Sequence, residues 1–366
     1  MATYTRRDFS RSPLVVFYEL TQACDLICQH CRACAQPAPD PDELRPEQSR
    51  RLTDQLATFP KPPLLVLTGG DPLKRADVYD LIRHARRLGL SVAVTPSATP
   101  LVTGEALDRL QSAGVGRLAI SLDGPDAASH DALRGVAGSF RRTLEILKGA
   151  RRRGIATQVN TTVTRTSVDQ LDQIAELIAP YGITLWSVFF LVPVGRGAII
   201  ERPSPDECER AFETLWRQSK RQPYAVKTTE APHYRRYVLT RNTAAQGSTL
   251  PKHASGGPGM PAPLGVNDGK GVMFIGHRGH IQPSGFLPLV GGQFPEDDVV
   301  DVYQNSATFL QLRDADLLEG KCGACEFRHI CGGSRARSLA ETGNVFAAEP
   351  ACAYTPPGYE SSQPVE

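Results

Sequence analysis

This chain has almost no net charge, no long apolar run and no cleavable export signal. Its 41 Lys and Arg nearly cancel 39 Asp and Glu, leaving a formal net charge of +2. A balance so close to zero carries no electrostatic footprint for nucleic acid. No apolar stretch approaches the length of a membrane span. Thr5-Arg6-Arg7-Asp8-Phe9 has the twin arginines of an export signal, but the segment after it carries Glu19 and Asp25 where an uncharged, cleavable run belongs. The two arginines therefore read as a solvated tail and the protein as cytoplasmic, with no membrane and no nucleic acid among its partners. That compartment disfavours structural disulfides, so nine cysteines point to metal or redox chemistry. Eight of the nine fall in two groups, Cys24 to Cys34 and Cys322 to Cys352; Cys208 stands alone in a helical pattern, as a packing residue does.

What is present is a regular alternation. The length of 366 residues, with 41% apolar and 22% charged, suits a soluble globular protein of two domains. From 14 to 221 an apolar, β-branched run is followed by a helical stretch six times. The strands are expected at 14–20, 64–68, 91–95, 117–122, 157–163 and 185–192, and the helices at 46–58, 75–88, 104–113, 138–153, 168–181 and 205–221. The strand runs are nearly continuous rather than alternating, as in strands buried on both faces. Gly114 and Gly182 fall just past helix ends, where a left-handed cap wants glycine. Strand and helix in alternation imply right-handed crossovers and a parallel sheet, and six units are too few for a closed eight-stranded barrel.

Parallel α/β sheets carry their chemistry at the carboxyl ends of the strands, and the informative residues follow the strands here. After the first comes Cys24-Asp-Leu-Ile-Cys28-Gln-His-Cys31, a Cys-x3-Cys-x2-Cys array. A loop of that length can wrap three soft thiolates around one corner of an iron–sulfur cube and leave the fourth iron open. Three close cysteines alone are also compatible with a zinc knuckle or plain thiols. After the second strand comes Gly69-Gly70-Asp71-Pro72, after the third Thr95-Pro96-Ser97, and after the fourth Ser121-Leu122-Asp123-Gly124 with Arg134 downstream. The fifth ends in Asn160-Thr161-Thr162, and Leu191 opens a tight loop after the sixth. Periodicity breaks over 222–271, where 241–268 is dense in Gly, Pro, Ala and Ser, as in a mobile connector or a lid. Just before that segment Lys227, Glu230, His233 and Arg235 form a polar cluster that could pair with substrate carboxylates or lie on a solvated helix. From 272 a hairpin begins, with strands near 272–276 and 280–283. Cys322, Cys325, Cys331 and Cys352 follow in a Cys-x2-Cys-x5-Cys-x20-Cys spacing that suits either a closed 4Fe–4S cube or a zinc ion.

The cysteine array after the first strand, with Gly69-Gly70-Asp71-Pro72 after the second, resembles the radical S-adenosylmethionine (AdoMet) superfamily. The resemblance implies a partial (β/α)6 TIM-like barrel. It implies a 4Fe–4S cluster held by Cys24, Cys28 and Cys31, whose open iron binds AdoMet. One electron, from a flavodoxin or ferredoxin, then breaks a C–S bond to give a 5′-deoxyadenosyl radical that takes a hydrogen atom from substrate. It also implies AdoMet contacts by Gly69, Gly70, Asp71 and Pro72, and by Ser97, Ser121, Asp123, Arg134, Asn160 and Leu191; Asp71 stands where the family usually has Glu. His30 lies next to the position that the family sets against adenine. The hairpin and the C-terminal cysteines resemble the SPASM/twitch extension. Its full form carries two auxiliary clusters, but two of the cysteines that form needs fall at Ser284 and Ser334 here, so one auxiliary 4Fe–4S cluster is expected, fully ligated by Cys322, Cys325, Cys331 and Cys352. Cys34 is read as a nearby thiol that is not a ligand, since a fourth ligand would close the open iron.

The expected organisation is a tail over 1–13, a core barrel over 14–221, a connector over 222–271, an auxiliary-cluster domain over 272–356 and a tail over 357–366. The run Cys331-Gly-Gly-Ser334-Arg335-Ala-Arg337 through Cys352-Ala-Tyr354 is most similar to radical enzymes that modify haem side chains, which implies a tetrapyrrole substrate. A peptide-modifying enzyme is the alternative, although only about a dozen residues precede the first strand, little for a leader-binding domain. A non-catalytic iron–sulfur or zinc protein is the third reading.

Overall fold

The computed structural model describes residues 8–246 and 265–360. The six expected strands form as β1 (Val15–Glu19), β2 (Leu64–Thr68), β3 (Ser91–Val94), β4 (Arg117–Ser121), β5 (Thr157–Val163) and β6 (Leu185–Phe190). They pair in sequence order, all parallel. Helices α1 (Pro46–Ala57), α2 (Val78–Arg87), α3 (Gly104–Ala113), α4 (Ala127–Arg134), α5 (Ser139–Arg152), α6 (Leu171–Ile178) and α7 (Pro205–Arg221) lie in the connections. Their faces follow helical spacing: α2 buries Val78, Leu81, Ile82 and Ala85. The Thr103 hydroxyl accepts from the Ala106 amide to start α3, and Gly114 ends it at a φ of 92°. Ser204 and Glu207 close a capping box on α7. No helix among the described residues is long and apolar enough to cross a membrane.

Four strands extend the sheet beyond the six. Ala225–Thr229 is β7, parallel to β6, so the boundary expected at 221 falls inside the sheet. The rest of the expected connector begins as α8 (His233–Gln246), and 247–264, the heart of the expected lid, lies outside the described residues. Val272–Ile275 is β8, and it pairs in parallel with the free edge of β1, Val15 opposite Val272 and Tyr18 opposite Ile275. β9 (His280–Gln282) turns back antiparallel on β8, and β10 (Gly292–Gln293) ends the row. The strand order is therefore β10-β9-β8-β1-β2-β3-β4-β5-β6-β7.

The C-terminal hairpin was expected in a second domain but shares the core of the first. Met273, Ile275, Ile281 and Phe294 belong to the same buried cluster as Val16, Tyr18 and Leu65. The cause is the open edge of β1, whose backbone groups need partners that local sequence does not supply. Beyond the sheet come α9 (Val299–Asn305), α10 (Ala307–Arg313), the single-turn α11 (Gly320–Gly323) and α12 (Arg335–Thr342).

Helix α12 is fastened to the barrel by a buried cation. Arg337, 1% exposed, donates to the carbonyls of Phe190, Leu191 and Glu230 at 3.1, 3.2 and 2.7 Å, and to Glu349 Oε1 at 3.0 Å. The C-terminal unit thus grips the carboxyl end of β6 and the corner after β7.

Candidate active site

The cysteine loop after β1 is clamped by three other loops. The amides of Gly70 and Asp71 donate to the carbonyls of Thr21 and Ala23, both at 2.7 Å. A Cβ at Gly70 would lie 2.3 Å from the Ala23 carbonyl oxygen, so this close approach requires glycine. At the end of α4, the Leu133 carbonyl accepts from the Gln29 amide at 2.9 Å. After β6, Arg196 donates its amide to Cys31 O at 3.0 Å and its side chain to Cys28 O at 2.9 Å and Ala35 O at 3.1 Å. A Cβ at Gly195 would sit 2.5 Å from Arg32 O.

So held, Cys24, Cys28 and Cys31 line a cavity of about 380 Å³ at the carboxyl ends of the strands. Cys24 Sγ lies 3.3 Å from Ser97 Oγ, which itself donates to Gly70 O at 2.8 Å. The amides of Leu26 and Ala35 donate to Cys24 Sγ and Cys31 Sγ, each at 3.4 Å. Burial pushes the Cys24 and Cys28 thiols up. Three soft donors on one wall, with amides aimed at two of them, fit an iron–sulfur cluster with one open position. Cys34 adopts a φ of 49°, lies 4.0 Å from the Cys31 carbonyl and does not line the cavity.

Of the remaining expected contacts, Gly69, Gly70, Ser97, Ser121, Arg134, Asn160 and Leu191 reach this cavity, and Asp71, Pro72 and Asp123 do not. The Asp71 carboxyl is fully buried, accepting from Thr99 Oγ1 at 2.7 Å and the Leu73 amide at 3.1 Å; burial raises its pKa. Asp123 lies behind the wall, where it accepts from Arg134 Nε at 2.6 Å and from the Thr162 amide at 2.7 Å. Both Nε and Nη2 of Arg134 are on Asp123, and Nη1 lies 3.7 Å from Cys28 Sγ. Burial opposes the charge on Arg134, but Asp123 outweighs it and the pKa rises. His30 lines the cavity with Nδ1 buried and without a hydrogen-bond partner among the described residues, and burial pushes it down to about 4.

The corner between β7 and α8 contributes Lys227, Glu230 and Arg235 to the same cavity. Burial, with Arg117 and Arg235 adding like charge, lowers Lys227 to about 8. Burial likewise lowers Arg235 to about 10; its guanidinium donates to Ile330 O at 3.2 Å. Glu230 stands at a φ of 57° and accepts from the Ser334 hydroxyl. Burial and neighbouring Asp268 push Glu230 up to about 8. Asp268 in turn accepts from the Ala336 amide at 3.2 Å and bonds Ser284. The two serines thus engage buried carboxyl groups. Phe17, Phe189, Phe274 and Phe286 add an apolar wall to the cavity.

His233 faces elsewhere, into a second, smaller cavity of about 20 Å³ that is lined by all four C-terminal cysteines, Cys322, Cys325, Cys331 and Cys352. The amides of Glu349 and Gly333 donate to Cys322 Sγ and Cys331 Sγ at 3.3 and 3.4 Å. Burial pushes Cys325 and Cys352 up to about 11. Four thiols around one buried space with cations on its rim fit a fully ligated cluster of net negative charge. Cys208 lies on the buried face of α7 and lines neither cavity, in a packing role.

Sequence reasoning missed several cavity residues. Asn267 and Asp268 lie next to the segment read as a lid, and the wall phenylalanines carry no motif. Arg32 was missed although it directly follows Cys31. It stacks at 4.5 Å on Phe274 and donates to buried Glu19 at 2.7 Å, which also bonds His277 at 2.6 Å. A charged residue at the end of a buried strand was the signal available for Glu19.

Comparison with known proteins agrees with this geometry. Residues 18–178 match the model of the radical SAM superfamily. The chain is 35% identical to an AdoMet-dependent heme synthase of Methanosarcina barkeri, over 95% of this chain and 98% of that protein. It is 38% identical to an AdoMet-dependent heme synthase of Nitratidesulfovibrio vulgaris, over 96% of this chain and 95% of that one. Among solved structures it resembles SuiB of Streptococcus suis bound to S-adenosylmethionine, with a TM-score of 0.71 and 18% identity over 94% of this chain and 78% of that one.

Proposed function

The chain belongs to the radical SAM superfamily, and we propose that it is a cytoplasmic enzyme acting on a tetrapyrrole that bears carboxylate side chains, reduced by a flavodoxin or ferredoxin. The observation that carries this reading is the cavity itself, whose lining brings together three cysteines, cationic Lys227 and Arg235, and four phenylalanines. A flat, apolar ring with anionic arms matches that distribution. Near full-length relatedness to two proteins named heme synthases supports it.

In this reading Cys24, Cys28 and Cys31 hold a 4Fe–4S cluster, and Cys322, Cys325, Cys331 and Cys352 hold an auxiliary one. When bound, the first cluster and AdoMet supply a 5′-deoxyadenosyl radical that takes a hydrogen atom from the substrate. Ser97 orients Cys24, and Gly70 fixes the approach of the second loop to the first. Ser121, Asn160 and Leu191 line the AdoMet side of the cavity. Asp71 and Asp123 act at one remove, Asp71 by shaping the turn after β2 and Asp123 by holding Arg134 against Cys28. Lys227 and Arg235 anchor substrate carboxylates, and the phenylalanine wall excludes water from the reacting carbon.

The test uses protein purified without oxygen, with AdoMet and dithionite, followed by iron counting and measurement of 5′-deoxyadenosine. The expected result is about eight irons per chain, AdoMet cleavage, and a spectral shift on adding a carboxylated iron porphyrin. Cleavage with no response to tetrapyrroles, but with binding of a candidate peptide, would replace the substrate assignment. Zinc in place of iron would remove the whole reading.

A further inference from the structure

His233 opens α8 and is 1% exposed. Neither ring nitrogen finds a hydrogen-bond partner among the described residues. One face of the ring meets Phe212 edge-on, with centroids 4.8 Å apart. The ring also lines the cavity of the four C-terminal cysteines. An imidazole carries at least one N–H in either protonation state, and a buried N–H left unpaired is costly. The acceptors lining that cavity include the cysteine sulfurs and the Glu349 carboxylate, and the Glu349 oxygens already accept from Arg337 and from the Ser334 and Ala351 amides.

Two neighbours point the same way. Arg236 lines the cavity with its Nε buried and unpaired among the described residues, and Lys321 reaches from the rim to donate to the Cys352 carbonyl. Donors from His233, Arg236 and Lys321 therefore gather around a space that all four cysteines line, the arrangement that suits a sulfur-rich anion.

We propose that the His233 imidazole donates an N–H···S hydrogen bond to the auxiliary cluster and sets its reduction potential. The inference rests on the auxiliary-cluster reading above. Reduction adds negative charge to the cluster, so a donor aimed at sulfur favours the reduced form and raises the potential. His233 touches the cofactor's cavity and not the substrate's, so its role is tuning.

The experiment uses the full chain carrying Cys24→Ala, Cys28→Ala and Cys31→Ala, which isolates the auxiliary site. Iron is counted, and the midpoint potential is measured by a redox titration followed by electron paramagnetic resonance, with His233 intact and as His233→Phe. About four irons per chain are expected in both. His233→Phe is expected to shift the ratio of oxidised to reduced cluster about tenfold at a fixed potential, a fall of about 59 mV for one electron; His233→Gln, which keeps an N–H, is expected to fall less. An unchanged midpoint at full iron content overturns the inference. Absence of iron from the triple variant instead overturns the auxiliary-cluster reading. Should the His233 variants lose iron or fail to fold, pulsed resonance on chain with an unaltered His233 and ¹⁵N-labelled histidine decides. A ¹⁵N coupling to the reduced cluster supports the bond, and its absence overturns it.

Discussion

Removing the Arg337 side chain tests how the C-terminal unit is attached. Arg337 and Glu349 are each 1% exposed, and Arg337 also holds the carbonyls of Phe190, Leu191 and Glu230. The Arg337→Met variant keeps most of the volume but leaves an uncompensated buried carboxylate. Breaking a buried pair in this way costs about 3–5 kcal/mol. Full burial means that no discount for solvent screening applies. The three freed carbonyls act in the same direction, although such terms are not additive. Glu349→Gln in the same chain removes the stranded charge while keeping a carbonyl oxygen for the Ser334 or Ala351 amide. The double variant should therefore be less destabilised than the two single losses sum to, with a coupling of about 2 kcal/mol or more. The assay is urea unfolding without oxygen at constant m value. A loss under about 1 kcal/mol for Arg337→Met, or strict additivity in the cycle, would refute the claim that this pair fastens α12 to β6.

Three other outcomes follow from the site. Gly70→Ala puts a Cβ against the backbone oxygens of Ala23 and Gln22, at 2.3 and 2.6 Å; the cysteine loop must shift, and loss of about four irons with the C-terminal site retained is expected by metal analysis. Cys322→Ala should likewise cost about four irons while AdoMet binding at the first site survives, and an unchanged iron count would sink the auxiliary assignment. Lys227 loses its proton as pH rises through about 8, so kcat/KM for an anionic substrate should fall above that pH. Lys227→Met should flatten that limb and lower kcat/KM by about tenfold or more, the worth of a charged hydrogen bond.

The six barrel strands were legible because each is a continuous apolar run, and both cysteine groups because their spacing is chemical. What escaped is nonlocal or breaks a local rule. β7 reads Ala-Val-Lys-Thr-Thr, with only Val226 buried, because an edge strand beside a cavity has no apolar run to display. The pairing of β8 with β1 joins residues far apart in sequence, and no local pattern encodes a register. Arg335 and Arg337 read as surface residues by type. Arg337 is buried on Glu349 and on carbonyls at the ends of β6 and β7, and Arg335 on the carbonyls of Val345 and Ala347, partners that become neighbours only after folding. Asp71 sits in a recognisable motif, yet its carboxyl turns inward to Thr99, since a hydroxyl packed behind the loop offers a hydrogen bond that the motif does not show.

The polar stretch from Lys227 to Arg236 reads as one cluster in the sequence, but the structure divides it between two cavities. Lys227, Glu230 and Arg235 line the first cavity, whereas His233 and Arg236 line the second. The helical turn decides this: residues one apart at the start of α8 face different ways, so Arg235 and Arg236 diverge. Variants along the cluster should therefore separate by observable. On the proposed anchoring role, Lys227→Met should raise KM and leave the auxiliary midpoint where it was. His233→Phe should move that midpoint and leave KM for substrate unchanged. Both variants are measured in chain with all clusters loaded, by steady-state turnover and by redox titration. If His233→Phe raised KM as Lys227→Met does, or Lys227→Met shifted the midpoint, the β7–α8 corner would be a single site and the division of labour assigned to it would fail.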